Sequence, residues 1–162
     1  MRFLPILLVL LTALAVTPPI RAEESLSDSM AAQAKPLLKA LSMIGTPYKF
    51  GGNNPEKGVD CSGFVKHVYK ETADISLPRS ARDMSKQGQA VTKDELAPGD
   101  LVFFNTRKRP NSHVGIYAGN GEFVHAASSK TKQVTVSRMD QKYWANRFNG
   151  ARRILPSLTP AP

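Results

Sequence analysis

Gly58-Val59-Asp60-Cys61-Ser62-Gly63-Phe64-Val65-Lys66-His67-Val68-Tyr69 carries the signal of a helix start. An aspartate followed by small residues opens it. Val65, Val68 and Tyr69 then recur at helical spacing, so one face is expected to be buried. The first N–H groups of a helix lack internal partners, and the dipole favours negative charge there. Cys61, the only cysteine, thus stands where a thiol ionises more readily than a free one. Asp60 acts in two directions. It caps the helix, and its own charge opposes a thiolate next door. A cationic partner is therefore expected, and a histidine suits the task. A lone cysteine is most often a small buried hydrophobe; the helix-start position and two histidines further along favour a reactive thiol.

The 162 residues suffice for one domain with a real core. Residues 1–22 read as a secretory signal peptide: Arg2, an apolar run from Phe3 to Val16 broken by Pro5 and Thr12, then Thr17-Pro18-Pro19 and a cleavage site after Ala22. The run falls short of the roughly 20 residues a membrane span needs. No cysteine near the site offers a lipid attachment point, and the expected location is periplasmic or secreted. Outside the cytoplasm cysteines usually pair, so a single one is a free reactive thiol or an intermolecular link. The net charge of +9 falls to +7 once Arg2 and Arg21 leave with residues 1–22. That balance suits an anionic wall or membrane surface. Basic residues gather in Arg107-Lys108-Arg109, Lys130-Thr131-Lys132 and Arg152-Arg153 without interleaved aromatics, so nucleic acid is not an expected partner.

Along the chain, residues 31–43 are expected to form a helix packed through Leu37, Leu38, Leu41 and Ile44. Gly45 to Pro55 reads as a loop. Its Gly51-Gly52 pair permits close backbone approach, and Tyr48 is placed to bring a phenol near the thiol. Ser80 caps a short helix to about Gln87, stopped by Gly88, while Arg79 is expected to pair with a carboxylate. Strands follow at Leu101–Phe104, His113–Ala118, Glu122–Ala126, Gln133–Val136 and Arg152–Leu155, with a helical turn at Tyr143-Trp144. Residues 156–162 hold three prolines and read as a disordered tail, which leaves 23–155 as the catalytic domain. Helices first and strands afterwards indicate α+β with an antiparallel sheet.

The two histidines pose a question of register, because strand residues alternate faces. A two-residue Asn120-Gly121 turn pairing Ala118 with Phe123 sends His113 and His125 to opposite faces. A three-residue Gly119-Asn120-Gly121 loop pairs Ala118 with Glu122 and Gly115 with His125, putting both on one face as diagonal neighbours about 7–8 Å apart. In that arrangement His113 serves as the base for Cys61 and His125 as its orienting group, with Gly115 leaving room for the cysteine helix or substrate. His67 lies nearly two turns beyond the thiol and receives no role. Zinc held by Cys61, His113 and His125 is the competing chemistry. No close-spaced ligand pair supports it, and neither metal nor cofactor is expected.

Tyr48-x-x-Gly51-Gly52, Asp60-Cys61-Ser62-Gly63-Phe64, Leu77-Pro78-Arg79-Ser80, Pro98-Gly99-Asp100-Leu101-Val102-Phe103-Phe104 and His113-Val114-Gly115-Ile116-Tyr117 together resemble the NlpC-type cell-wall peptidases, from about residue 35 to 155. The resemblance implies a papain-like fold, with the cysteine helix packed on an antiparallel sheet. It implies hydrolysis of amide bonds in peptidoglycan stem peptides, commonly those involving D-glutamate or diaminopimelate. Cys61 matches the nucleophile, His113 the general base and His125 the third polar residue. Tyr48 matches a tyrosine that helps stabilise the oxyanion, and Asp60 and Ser62 match positions that contact the substrate's amino group in some members. The chain looks closest to single-domain Gram-negative murein endopeptidases, without their usual lipid anchor. The rivals are a non-catalytic wall- or partner-binding protein on the same fold and a thiol enzyme that transfers acyl groups to lipids. Binding alone needs no poised thiol, and lipid transfer calls for an apolar stretch that residues 23–162 lack.

Overall fold

A first helix, α1, covers residues 34–42, and a second, α2, covers Cys61–Ala73. They belong to a computed structural model whose described residues are 31–155 apart from Gln33, Arg107, Ser129 and Lys130. The expected signal peptide and the proline-containing tail lie outside the described residues. Asp60 is the α2 N-cap. Its backbone is extended, and its carboxylate accepts the Gly63 N–H at 2.7 Å. The helix closes at Asp74, in the left-handed region at φ 55°. Between its ends, Phe64, Val65, Val68 and Tyr69 are buried, each contributing about 1.5–3 kcal/mol of apolar burial.

The apolar stripe expected to pack α1 does not do so. Leu38, Leu41 and Ile44 are 63%, 38% and 48% exposed. The buried line instead runs through Pro36, Ala40 and Met43, with Leu37 partly buried against the core. Positions 36, 40 and 43 follow i+4 and i+3 spacing as regularly as the leucines do, and Ala40 lets the helix backbone approach the core closely.

The loop after α1 holds a small antiparallel pair, β1 (Asn53–Asn54) and β2 (Gly58–Val59). Ser80 caps the short helix α3, Ala81–Met84, by accepting the Asp83 N–H at 3.1 Å, and Gly88 stands at φ 66° just beyond. The chain then forms one antiparallel sheet from β3 (Gln89–Val91), β4 (Leu101–Phe104), β5 (His113–Gly119), β6 (Glu122–Ala126), β7 (Val134–Arg138) and β8 (Phe148–Arg153), with a helical turn, α4 (Lys142–Ala145), before β8. The spatial order is β3-β8-β4-β5-β6-β7. The closing strand expected at Arg152–Leu155 is present, but it runs over Phe148–Arg153 and lies inside the sheet. It starts earlier and inserts between β4 and β3, pairing Ala151 with both Val102 and Val91. Arg153 secures it with two bonds to the buried Asp100 carboxylate, at 2.8 and 2.7 Å.

Alternation divides the sheet into two faces. Leu101, Phe103, Val114, Ile116, Val124, Ala126 and Val134 join Phe64, Val65, Val68 and Tyr69 of α2 in one cluster. Val102, Phe104, Phe123 and Ala151 form a second cluster with Met139, and Trp144 and Phe148 pack against it. This α+β arrangement, a cysteine-bearing helix on an antiparallel sheet, is the fold class the sequence implied.

Candidate active site

Cys61 is the first residue of α2 and is partly exposed. Its neighbourhood is built by the Asp60 carboxylate, which accepts from the N–H groups of Gly51 (3.1 Å) and Gly63 (2.7 Å), from Ser62 Oγ (3.1 Å), and from both Arg79 Nη atoms (2.9 and 2.8 Å). Arg79 also donates to Ser62 Oγ at 2.8 Å and to the Gly52 carbonyl at 3.2 Å. Burial raises the Asp60 pKa, but the Arg79 guanidinium, the Gly63 N–H and Ser62 outweigh it and hold the carboxyl below its ordinary value. The charge on Arg79 also interacts favourably with Cys61 and Tyr48. Arg79 thus answers locally part of the electrostatic conflict between Asp60 and a thiolate.

Two glycines permit this assembly. A Cβ on Gly63 would stand 2.1 Å from the Gly52 carbonyl oxygen, and one on Gly52 would stand 2.3 Å from the Gly58 carbonyl oxygen. The close approach expected of Gly51-Gly52 is therefore between this loop, the first turn of α2 and the chain just before it. The Asp60 N–H donates to the Gly52 carbonyl at 3.0 Å. Tyr48 bridges in parallel to Val59 and lines the same cleft as Cys61. That cleft, about 570 Å³, is also lined by Asp60, Ser62, Arg79, Arg82, Arg109 and Ser112.

The histidines form the second half. β5 and β6 pair Ile116 with Val124 and Tyr117 with Phe123; continued, this register sets Gly115 opposite His125. Both histidines share a face, but the hairpin closes differently from the expected three-residue loop. Gly119, not Ala118, pairs with Glu122 across a β-bulge, leaving Asn120 and Gly121 as the turn at φ 52° and 75°. The bulge absorbs the extra residue, so a two-residue turn coexists with the register that unites the histidines. Gly115 does not open room for the helix or substrate. A Cβ there would meet the Phe123 ring at 2.7 Å and His125 Cβ at 3.2 Å, so its space belongs to β6.

His113 Nε2 lies 2.9 Å from His125 Nδ1, and His125 Nε2 lies 3.0 Å from Ser137 Oγ on β7. The two rings are nearly perpendicular, at 84°. Trp144 stacks on His113 at 5.4 Å and meets His125 edge-on at 5.0 Å. Burial, and then the charge of His113, push the His125 pKa far down, so that ring is neutral. From sequence, Trp144 falls in a helical turn, and neither it nor Ser137 receives a role at the site. Alternation along the Gln133–Val136 strand, extended by one residue, puts Ser137 on the face of Thr135, and the observed register sets these two across from Phe123 and His125.

The two halves adjoin at the start of β5. Ser112 lines the Cys61 cleft, while the next residue, His113, lines a second cavity of about 290 Å³ with His125, Ser137 and Trp144. His67 belongs to neither, and borders a groove with Asn53, Asn54, Pro55 and Glu56. Among the described residues no three His, Cys, Asp or Glu side chains form a group that could hold a metal ion.

Residues 45–153 match the NlpC/P60 family. The chain is similar to the probable endopeptidase NlpC of Escherichia coli K12, with 43% identity over 155 residues, 91% of this chain and 97% of that one. It is similar to the murein DD-endopeptidase MepS/murein LD-carboxypeptidase of the same strain, with 43% identity over 111 residues, 68% of this chain and 57% of that one. A solved NlpC/P60 family protein from Bacillus cereus ATCC 10987 superimposes with a TM-score of 0.70 at 32% identity, covering 76% of this chain and 40% of that one. The chain thus spans nearly the whole of the first, little more than half of the second and less than half of the third.

Proposed function

The chain belongs to the NlpC/P60 family, and from that premise we propose that it is an exported cysteine peptidase hydrolysing amide bonds in peptidoglycan stem peptides. The observation that carries this reading is the buried His113 Nε2 to His125 Nδ1 bond of 2.9 Å, at the strand start adjoining the Cys61 cleft. It commits Nε2 of His113 to His125, and in this reading Nδ1 serves the thiol. The name of one relative, a murein DD-endopeptidase/murein LD-carboxypeptidase, supports the substrate class, and murein lies outside the cytoplasm.

For His113 Nδ1 to accept a proton, Nε2 must carry one and donate it to His125 Nδ1. His125 is neutral, so its single proton sits on Nε2 and is donated to Ser137 Oγ. Ser137 therefore acts as a positioning residue, selecting the tautomer of His125 and through it that of His113. His113 Nδ1 takes the Cys61 proton, and the Sγ thiolate attacks the stem-peptide carbonyl carbon. The oxyanion is met by N–H groups at the start of α2 and by the Tyr48 hydroxyl. The C–N bond breaks as His113 returns the proton to the leaving amine. Water, deprotonated by His113, then hydrolyses the thioester and restores the thiol. Arg79 cancels the charge of Asp60, so that the thiolate forms beside a neutral pair.

The test is digestion of purified peptidoglycan by the protein and by Cys61→Ala, with soluble products identified by mass spectrometry. Amide-cleaved muropeptides from the first and none from the second are expected. No products from either, under reducing conditions and across several wall chemotypes, would transfer the fold to a wall-binding role.

A further inference from the structure

The guanidinium groups of five of the seven described arginines are engaged within the protein. Arg79 holds Asp60, Arg138 holds Asp140, Arg153 holds Asp100, Arg152 donates to the Ser85 carbonyl, and Arg147 donates to the Tyr143 carbonyl while lying over the Tyr143 ring. Among the described residues, Arg82 and Arg109 alone make no guanidinium hydrogen bond or ion pair, and both line the Cys61 cleft. The acidic neighbour of Arg82, Asp83, is already bonded to Ser80 Oγ and Lys86 Nζ. Among the described residues the only carboxylate lining the cleft is Asp60, and Arg79 neutralises it. The cleft beside the thiol therefore presents two uncommitted positive charges. The second cavity, on the histidine side, is lined by Thr106, Ser128, Thr131, Thr135 and Ser137 and, among the described residues, by no carboxylate, lysine or arginine.

We propose that Arg82 and Arg109 form a carboxylate subsite, so that the enzyme selects stem peptides whose carboxylates near the scissile bond are free rather than amidated. This rests on the proposed peptidoglycan activity and names the form of substrate taken. A guanidinium offers paired donors in a fork that matches a carboxylate, and an amide offers neither the charge nor two acceptors. Both side chains are exposed, so water screens the attraction and salt weakens it. The selectivity belongs to binding, because neither arginine takes part in the proton transfers.

The experiment measures binding separately from turnover. Cys61→Ala protein is titrated calorimetrically with three synthetic stem peptides containing γ-linked D-glutamate and diaminopimelate: one with both carboxylates free, one amidated at glutamate, one amidated at diaminopimelate. The free form is expected to bind about tenfold more tightly than at least one amidated form, the scale of a charge-assisted bond partly screened by water. The amidated peptide that loses affinity identifies the carboxylate held. Adding Arg82→Gln and Arg109→Gln should shrink the ratio to within about twofold, and Arg82→Lys with Arg109→Lys should recover part of it. Equal affinity for all three peptides, no measurable binding of any, or a ratio untouched by the glutamine changes overturns the subsite. In cleaving protein the same preference should appear in KM rather than kcat. Selective binding without cleavage by the Cys61 form would uphold the subsite and defeat the peptidase reading instead.

Discussion

Arg79→Met tests the electrostatic logic of the thiol site. The substitution leaves Asp60, whose side chain is only 13% exposed, with the Gly51, Gly63 and Ser62 donors but no counter-charge. Breaking a fully buried pair costs about 3–5 kcal/mol, whereas exposed pairs are worth at most about 1 kcal/mol. Arg79 is 39% exposed, so the loss at pH 7 should lie between these, about 2 kcal/mol. The pH dependence has a definite sign. Asp60 has a folded pKa below its ordinary value of 3.8, so its contribution is present above that value and is lost as pH falls through the folded pKa. Without Arg79, burial raises that pKa toward the unfolded value, so acidification through the Asp60 titration costs the variant less stability than it costs the parent protein. The stability gap should then narrow as pH falls through the depressed pKa of Asp60 in the parent protein, since protonation removes the carboxylate in both proteins. Urea unfolding at pH 7, 5 and 3 measures this. Asp60→Asn added to Arg79→Met should recover most of the loss, since asparagine still caps the helix. A gap independent of pH, or smaller than about 0.5 kcal/mol at pH 7, would refute the reasoning. Alkylation of Cys61 by iodoacetamide should also shift to higher pH in Arg79→Met, because the uncompensated carboxylate opposes the thiolate.

Gly63→Ala should destabilise by about 2–3 kcal/mol in chemical unfolding, because the added methyl meets the Gly52 carbonyl at 2.1 Å and neither backbone can yield without breaking the Asp60 cap. Ser137→Ala should lower kcat about two- to tenfold with little change in KM, as one neutral hydrogen bond worth about 1 kcal/mol no longer biases the tautomer. Its signature is a change in the imidazole 15N shifts of His125, and unchanged shifts would remove Ser137 from the account.

The parts of this fold legible in sequence are those fixed by local chemistry. The Asp60 cap, the buried face of α2, the Ser80 cap and the limits of β6 all follow from residues within a few positions of one another. What was not legible depends on neighbours distant in sequence. The insertion of β8 between β3 and β4 is a choice among strand partners, and the alternation within 148–153 does not specify it. On α1, two faces had comparable spacing, and the one bearing Ala40 packed because close approach outweighed the larger leucines. The site shows the same division. The histidine register was readable as two alternatives, and the bulge at Ala118 let features of both coexist. That Arg79 pairs with a carboxylate was readable, but that the carboxylate is Asp60, 19 positions away, and that Ser137 bonds His125 across 12, required the assembled sheet and loop. Arg152 and Arg153 looked like surface charge, yet both guanidinium groups are committed to internal acceptors.

The most direct test of the central claim is to identify the atom that carries the acyl group. The protein is mixed rapidly with a cleavable muropeptide, quenched in acid and digested, and the peptide containing Cys61 is weighed. The account predicts a thioester adduct on Cys61 equal to the substrate's acyl portion, rising before steady-state product and absent in His113→Ala. Product formation with Cys61 unmodified throughout, or undiminished turnover by Cys61→Ala, would contradict it.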